Sequence, residues 1–169
     1  MQLSVREAVM ADANDIAALR VAAAEDLTAR YGKGFWSSHA TEKAVLYAIK
    51  HGRVLVAEDG GRIVGTLTLS IHKPWAIDTA YFTKVKTPVY LTSMAIAPAQ
   101  QKQGIGRAML DAAVAAVRAW PGQAIRLDAF DADAGAGDFY AKAGYHEMGR
   151  VVFRQVPLIY YELPLPPRP

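Results

Sequence analysis

Residues 89–130 change periodicity twice, and this alternation limits the possible fold more than any other feature of the sequence. Residues 89–96 have a strand pattern that Pro98 ends, and residues 104–120 have apolar side chains at helical spacing. Residues 125–130 return to a strand pattern. Strands that alternate with amphipathic helices predict a layered α/β domain in which helices cover a sheet.

The rest of the chain continues this alternation. Strand patterns occupy residues 3–8, 53–58, 63–71, 145–153 and 158–163, and helical patterns occupy residues 12–32, 41–49 and 134–143. Asp59-Gly60-Gly61 is typical of a hairpin turn between two of the strands. The predicted order is β-α-α-β-β-β-α-β-α-β-β, with a mixed sheet and helices between strands on both sides of a central hairpin.

The length of 169 residues is that of one domain. We expect a single domain over residues 1–163, followed by a flexible Pro-rich tail over residues 164–169.

Composition excludes several classes of protein. The chain has no cysteine, which excludes disulfides, thiolate nucleophiles and Cys-ligated zinc, and fits a reducing cytoplasm. The net charge of +3 comes without a dense Lys/Arg cluster, so we expect no nucleic-acid partner. The sequence also lacks a signal-peptide pattern and any apolar run of about 18 residues, so we expect no membrane association.

A strand, a tight loop and a long helix meet around Gly104 and Gly106. Glycine lets the backbone approach a ligand closely, and the free N–H groups of a first helical turn bind anions such as pyrophosphate. Lys102 and Arg107 would add positive charge. The alternative is that the glycines only shape a turn. A Rossmann motif needs a third glycine where Met109 stands, and no Walker motif is present.

Two segments resemble motifs of one family. Gln101-x-x-Gly104-x-Gly106 resembles the (Gln/Arg)-x-x-Gly-x-(Gly/Ala) acetyl-CoA motif of the GNAT superfamily of N-acetyltransferases. Residues 94–98 resemble the end of that family's fourth strand, and residues 136–145 resemble its Ala-x-x-Phe-Tyr-x-x-x-Gly-Phe segment. The resemblance covers residues 2–163. It implies the GNAT fold, an α+β layered domain with a mixed, mostly antiparallel central sheet.

The resemblance also implies a cosubstrate site for acetyl-CoA and no metal. The residues that it places there are Met94, Ala95, Ile96, Gln101, Lys102, Gln103, Gly104, Ile105, Gly106, Arg107 and Tyr140. Backbone groups of Met94 and Ile96 would pair with the pantetheine arm, and the amides of residues 102–107 would hold the pyrophosphate. The backbone near Met94 or Ala95 would polarise the acetyl oxygen.

One position departs from the family pattern. The family often has asparagine where this chain has Asp133. A carboxylate cannot donate a hydrogen bond to the pantetheine, and helix capping is the alternative role.

Tyr140 is the candidate catalytic residue, because the resemblance places it near the thioester sulfur. A tyrosine has a pKa of about 10 and a thiol about 8.5, so hydrogen-bond donation to the leaving thiolate is easier than full proton transfer. The alternative is an aromatic side chain that only packs the helix.

The acceptor side is predicted from two aromatic segments, residues 31–36 and 72–87, and from polar residues on central strands. The substrate candidates are Tyr31, Phe35, Trp36, Trp75, Tyr90, Thr92 and Asp128. The same aromatics could instead cover core edges or a dimer contact. A homodimer is also suggested by apolar side chains near the C-terminus, namely Val156, Leu158, Ile159, Tyr160 and Tyr161, which could equally be core.

The predicted function is transfer of the acetyl group of acetyl-CoA to a primary amine of a small molecule, by direct attack in a ternary complex. Three alternatives remain open: a protein acetyltransferase acting on N-termini or lysines, a non-catalytic acyl-CoA-binding regulatory module, and an interaction domain without a CoA site.

Overall fold

The computed structural model describes residues 1–167, which form seven strands and four α-helices. The strands are β1 (Leu3–Glu7), β2 (Arg53–Asp59), β3 (Arg62–Ser70), β4 (Pro88–Ile96), β5 (Ala124–Phe130), β6 (His146–Phe153) and β7 (Val156–Pro164). The helices are α1 (Ala13–Tyr31), α2 (Glu42–His51), α3 (Ile105–Ala119) and α4 (Gly137–Lys142). The predicted order of elements is confirmed.

All seven strands join one sheet in the order β1-β2-β3-β4-β5-β7-β6. Neighbouring strands are antiparallel except β4 and β5, which run parallel. The expected mixed, mostly antiparallel sheet is therefore confirmed. Its single parallel pair lies at the centre, where the α3 crossover joins the two strands.

Helices cover both faces of the sheet, and β2 shows how the sequence achieves this. Val54 and Val56 pack against α1 and α2, whereas Leu55 faces the core that contains Met109 of α3. Successive side chains of a strand point to opposite faces, so this apolar strand serves two cores. On the α3 side, a Cβ added to Gly65 of β3 would lie 2.7 Å from the sulfur of Met109. Glycine there lets the helix approach the sheet closely.

The long segment between β3 and β4, residues 71–87, is fixed against the sheet face that α1 and α2 also cover. Ile77 and Phe82 are buried in a cluster with Tyr160. The Tyr160 hydroxyl donates to the carbonyl of Ala76 and accepts from the N–H of Asp78 at 3.1 Å.

A buried ion pair lies beneath the same segment. Nε of Arg126 donates to Oε2 of Glu162 at 2.8 Å, and the two side chains are 4% and 1% exposed. Arg126 also donates to the carbonyl of Thr83, and Glu162 accepts from the hydroxyl of Thr83 at 2.7 Å. The pair therefore ties residues 71–87 to β5 and β7.

Helix α4 is shorter than the predicted helix over residues 134–143. It covers Gly137–Lys142. The reason lies at Gly135, where an added Cβ would stand 1.9 Å from the carbonyl oxygen of Phe130. The chain turns tightly over the end of β5 at this point, so the helix begins only after the turn.

Asp12 precedes α1 as predicted, but its side chain does not cap the helix. Its carboxylate accepts from the guanidinium of Arg6 at 2.8 Å and from the N–H of Val9 at 2.8 Å. The guanidinium of Arg6 holds the pKa of Asp12 below its usual value, with a smaller contribution from the Val9 hydrogen bond. The residue therefore joins β1 to the start of α1.

The first part of the expected tail packs against the domain. Leu165 is buried, and its N–H donates to the carbonyl of Gln123 at 2.8 Å. Residues 168 and 169 lie outside the described residues.

The apolar residues of β7 that suggested a dimer mostly belong to the core. Leu158, Ile159, Tyr160 and Tyr161 are all buried. Among residues 1–167, no helix combines the length and apolarity that crossing a bilayer requires.

Candidate active site

The centre of the sheet opens where β4 and β5 separate. The two strands pair only at Pro88–Ala124, Val89–Ile125 and Tyr90–Arg126. Beyond Tyr90, β4 continues with β3 alone, and β5 continues with β7 alone. One edge of β4 therefore faces a cleft instead of a neighbouring strand, and its backbone groups can pair with a ligand.

A β-bulge in β4 lies at this opening. Thr68 pairs with Thr92 and Thr66 pairs with Ala95, so two residues of β4 stand opposite one residue of β3. Ser93, one of the extra pair, has a φ of 56°. A bulge bends a strand and re-aims its side chains. Here it lies where β4 separates from β5.

A cavity of about 680 Å³ lies between the end of β4, the start of α3 and α4. Its lining includes these predicted cosubstrate residues: Met94, Ala95, Ile96, Gln101, Lys102, Gly104, Ile105, Gly106, Arg107 and Tyr140. Gln103 is the one residue of that predicted set that does not line it. We call this space the cosubstrate cavity.

The glycines at the start of α3 have different roles. Gly104 has a φ of +83°, and a Cβ added there would meet nothing within 4 Å. Gly106 packs under an aromatic ring, since its added Cβ would lie 2.9 Å from Cζ of Phe139. The left-handed backbone therefore requires glycine at Gly104, and the packing of Phe139 requires it at Gly106.

The start of α3 has the features of an anion site. The N–H groups of a first helical turn have no partner within the helix, and the helix dipole is positive there. Lys102 also has a left-handed φ, of 62°, two residues before Gly104. Such turns gather backbone N–H groups into concave anion sites. The open space above Gly104 fits a pyrophosphate against these groups.

A second cavity, of about 370 Å³, lies between α1 and the separated strands. Phe35, Trp36, Thr92 and Asp128, all predicted substrate residues, line it. The rings of Trp36 and Phe130 meet edge to face at 6.2 Å, which forms an aromatic wall. We call this space the acceptor cavity.

Three predicted substrate residues lie elsewhere. Tyr31 lines the cosubstrate cavity instead. Tyr90 is buried beside Arg126, which donates to its hydroxyl at 3.4 Å. Trp75 is 87% exposed and lines neither cavity. Residues 71–87 thus cover the sheet and contribute nothing to the lining of the acceptor cavity.

Tyr140 lies where the two cavities meet. It lines both of them together with Met94, and its hydroxyl donates to the Met94 sulfur at 3.6 Å. Burial is the main reason that the pKa of Tyr140 lies far above its usual value, and the nearby Tyr145 and Asp128 add to the effect. The side chain therefore stays a neutral hydroxyl donor.

Asp133 lines the cosubstrate cavity. It does not cap α4, whose N-cap is Ala136. The structure thus places Asp133 beside the cavity rather than in the alternative capping role.

Two charged groups face the acceptor cavity. Asp128 of β5 is half-buried, and burial raises the pKa of its carboxyl. Arg20 of α1 is also half-buried, and burial lowers the pKa of its guanidinium. Sequence reasoning missed Arg20. The sequence does hold a signal for it. Arg20 follows Ile16 and Ala17 at helical spacing, so it lies on the buried face of α1, where an apolar residue is expected.

In residues 1–167, no group of three or more potential metal ligands occurs.

The fold is similar to those of known acetyltransferases. Ribosomal-protein-alanine N-acetyltransferase from Brucella melitensis superposes with a TM-score of 0.74 at 19% identity, covering 96% of this chain and 99% of that one. The protein yncA from Salmonella typhimurium, solved with its cofactor acetyl-CoA, gives 0.73 at 18% identity, covering 99% and 96%. Aminoglycoside 6'-acetyltransferase type Ii gives 0.73 at 18% identity, covering 98% and 99%.

A family model identifies the family from the sequence, although no single curated sequence does. No curated protein sequence matches this chain significantly. The family model described as the acetyltransferase (GNAT) family matches residues 20–145, most of the chain and all of the cleft from α1 to α4. This match shows that the chain belongs to the GNAT acetyltransferase family and uses acetyl-CoA as its cosubstrate.

Proposed function

We propose that the protein is an N-acetyltransferase that moves the acetyl group of acetyl-CoA onto the primary amine of a small molecule, by direct attack in a ternary complex. The observation that carries this proposal is the junction of the two cavities at Met94 and Tyr140. A donor in one cavity and an acceptor in the other would meet there without a covalent enzyme intermediate.

The proposed donor contacts follow from the cleft. The free edge of β4 at Met94 and Ile96 pairs with the pantetheine arm as an added strand would, and the N–H groups at the start of α3 hold the pyrophosphate. A backbone N–H near Met94 or Ala95 donates to the acetyl oxygen and stabilises the charge that develops on it.

Asp128 is the proposed proton acceptor. An alkyl amine with a pKa of about 10 is only about one part in a thousand neutral at pH 7, so its proton must be removed before attack. Asp128 lies in the acceptor cavity, and burial raises the pKa of its carboxyl toward the working pH. A base is more effective when its pKa approaches the working pH. Asp128 accepts the proton directly or through one water.

Tyr140 is the proposed donor to the leaving sulfur. Proton transfer from an ordinary tyrosine to a thiolate is uphill by about 2 kcal/mol. Burial of Tyr140 raises its pKa and so widens this gap. The hydroxyl therefore stabilises the thiolate by hydrogen bonding while the C–S bond breaks and the N–C bond forms. The ammonium loses two protons in total. The first passes through Asp128 to solvent before attack, and the second leaves the nitrogen as the amide forms and balances the one that the thiolate finally takes from solvent.

A small acceptor fits the cavity better than a protein chain does. A volume of about 370 Å³ behind an aromatic wall suits a small molecule. Similar folds include a ribosomal-protein-alanine acetyltransferase and an aminoglycoside acetyltransferase, so the fold is compatible with either class of acceptor.

We also propose a cytoplasmic location, since a chain without cysteine fits a reducing compartment.

The test is acetyl transfer itself. The purified protein is mixed with acetyl-CoA and a panel of small primary amines, and thiol release and the mass of each product are recorded. An amine that gains one acetyl group in step with thiol release supports the proposal. Acetylation of peptides but of no small amine would support the protein-acetyltransferase alternative instead.

A further inference from the structure

The acceptor cavity carries one positive and one negative group on different elements. Arg20 extends from α1, and Asp128 comes from β5. Most of the other lining side chains are small or apolar, among them Leu27, Phe35, Trp36 and Phe130. A cavity of this composition binds an apolar group and offers two points of fixed charge.

The guanidinium of Arg20 has no hydrogen bond or ion pair with any other group in residues 1–167, although it is half-buried. Other arginines of the chain do have carboxylate partners, namely Arg6, Arg30, Arg107, Arg126 and Arg150. A cation withdrawn from water is unfavourable unless a counter-charge approaches it. A bound molecule could therefore supply the negative counter-charge that Arg20 lacks.

Asp128 is a second half-buried ionisable group without a partner, and its charge is negative. Its carboxylate has no hydrogen-bond or ion-pair partner within the described part of the chain, and it does not pair with Arg20. Burial disfavours its charge, as the raised pKa shows. Because the two groups do not neutralise each other, the cavity is complementary to a molecule that carries both charges.

We infer that the acceptor is an amino-acid-like molecule, in which a primary amine and a carboxylate accompany an apolar side chain. Arg20 binds the carboxylate through one edge of its planar guanidinium, where two N–H groups can donate parallel hydrogen bonds. Asp128 faces the ammonium group, and Phe35, Trp36 and Phe130 contact the side chain. This inference rests on the proposed N-acetyltransferase function and names its substrate class.

The first test compares matched acceptors on the unmodified protein. Phenylalanine and phenethylamine differ only in the carboxylate, and phenylalaninamide keeps the size of that group without its charge. Values of kcat/KM are compared per concentration of neutral amine, because the carboxylate changes the amine pKa. We expect phenylalanine to exceed both analogues by about 30-fold, the range of a charged hydrogen-bonded contact.

The second test removes the guanidinium. Arg20→Met should bring the ratio between phenylalanine and phenethylamine close to one, and Arg20→Lys should leave an intermediate ratio because it keeps the charge but loses the paired donors. The matched control is Arg62→Met, since Arg62 is exposed at the start of β3, away from both cavities. The control should keep the wild-type ratio.

A readout other than activity accompanies the variant. Because Arg20 is unpaired and half-buried, Arg20→Met should unfold at an equal or higher temperature than the unmodified protein without acceptor. Phenylalanine, added with the non-transferring product coenzyme A, should raise the melting temperature of the wild type and not that of Arg20→Met.

Each outcome decides between the proposals. Equal kcat/KM for phenylalanine and phenethylamine on the wild type, or an unchanged ratio in Arg20→Met, would overturn the inference while leaving acetyl transfer intact. Preference for phosphoethanolamine over all carboxylated amines would assign the Arg20 site to phosphate and reject the carboxylate. Binding of acetyl-CoA with no transfer to any amine would refute the proposed function, and the substrate class with it. If Arg20→Met fails to fold, the wild-type comparison alone decides.

Discussion

The hydroxyl of Tyr140 on α4 lies 3.6 Å from the sulfur of Met94 on β4. A thioether is a weak hydrogen-bond acceptor, so the hydroxyl can turn to a stronger one. The two residues line both cavities and belong to elements that meet only through the tertiary fold. This contact marks the point at which we expect acetyl transfer to occur.

Replacement of Tyr140 by phenylalanine should lower kcat at least about tenfold, because it removes the hydrogen bond to the leaving sulfur. Binding of acetyl-CoA, measured by calorimetry, should stay nearly unchanged. The matched control is Tyr145→Phe, since Tyr145 is buried in the same aromatic cluster and its hydroxyl has no partner among residues 1–167. Unchanged turnover in Tyr140→Phe would remove the catalytic role.

The pH profile should show no alkaline loss caused by tyrosine ionisation. Burial raises the pKa of Tyr140, so its hydroxyl stays protonated beyond the pH at which an ordinary tyrosine ionises. We expect kcat/KM to keep rising with pH up to about pH 10, as the acceptor amine becomes neutral. A decrease between about pH 9 and 10 in the wild type that vanishes in Tyr140→Phe would contradict this account.

Replacement of Asp128 by asparagine should lower activity and raise stability together. Expressed per concentration of neutral amine, kcat/KM should have an acid limb above the ordinary aspartate pKa of 3.8 in the wild type, and this limb should disappear in Asp128→Asn. A carboxyl whose pKa is raised on folding loses its stabilising contribution as pH rises through that pKa. At neutral pH, the melting temperature of Asp128→Asn should therefore be equal to or higher than that of the wild type.

The control for this variant is Asp131→Asn. Asp131 follows β5 directly and pairs with the exposed Arg150 at 3.3 Å, outside both cavities. It should keep the wild-type activity and acid limb. An unchanged acid limb in Asp128→Asn would assign the base elsewhere.

The buried Arg126–Glu162 pair should contribute to the free energy of unfolding, because it ties residues 71–87 to β5 and β7. Replacing Glu162 by glutamine removes the counter-charge of a buried guanidinium, which costs about 3–5 kcal/mol. The double change Arg126→Met with Glu162→Leu should recover much of this loss, because no buried charge remains. Chemical denaturation of the single and double variants measures both values, with Arg150→Met at an exposed ion pair as the control. A double variant less stable than the single one would contradict this account.

The sequence predicted what local patterns determine. The helix over residues 104–120 was predicted because its apolar spacing is regular, and the structure has α3 over Ile105–Ala119. The cosubstrate residues other than Tyr140 lie close together in the chain, so one motif grouped them, and a second motif supplied Tyr140. Of these, the structure brings all but Gln103 to one cavity.

The rest depends on contacts between distant residues. The separation of β4 from β5 after three pairs and the bulge at Ser93 leave no signal in periodicity. Arg20 and Asp128 share a cavity only because α1 packs over the opened sheet. Trp75 was an attractive candidate by residue type, yet it lies in a segment that covers a different part of the sheet.

The most direct test of the account is calorimetric titration of acetyl-CoA into three proteins. These are the wild type, Gly104→Glu and Gly61→Glu. Gly61 is a close control because its φ is +82° and its added Cβ also meets nothing within 4 Å, but it lies in the β2–β3 hairpin. We expect wild type and Gly61→Glu to bind with a dissociation constant of about 1–100 μM that weakens with salt.

Gly104→Glu should bind at least about 100-fold more weakly, because its carboxylate would meet the pyrophosphate at the start of α3. That result would place the cosubstrate on the anion site described here. Equal binding by Gly104→Glu and Gly61→Glu, or no binding of millimolar acetyl-CoA to the wild type, would contradict it.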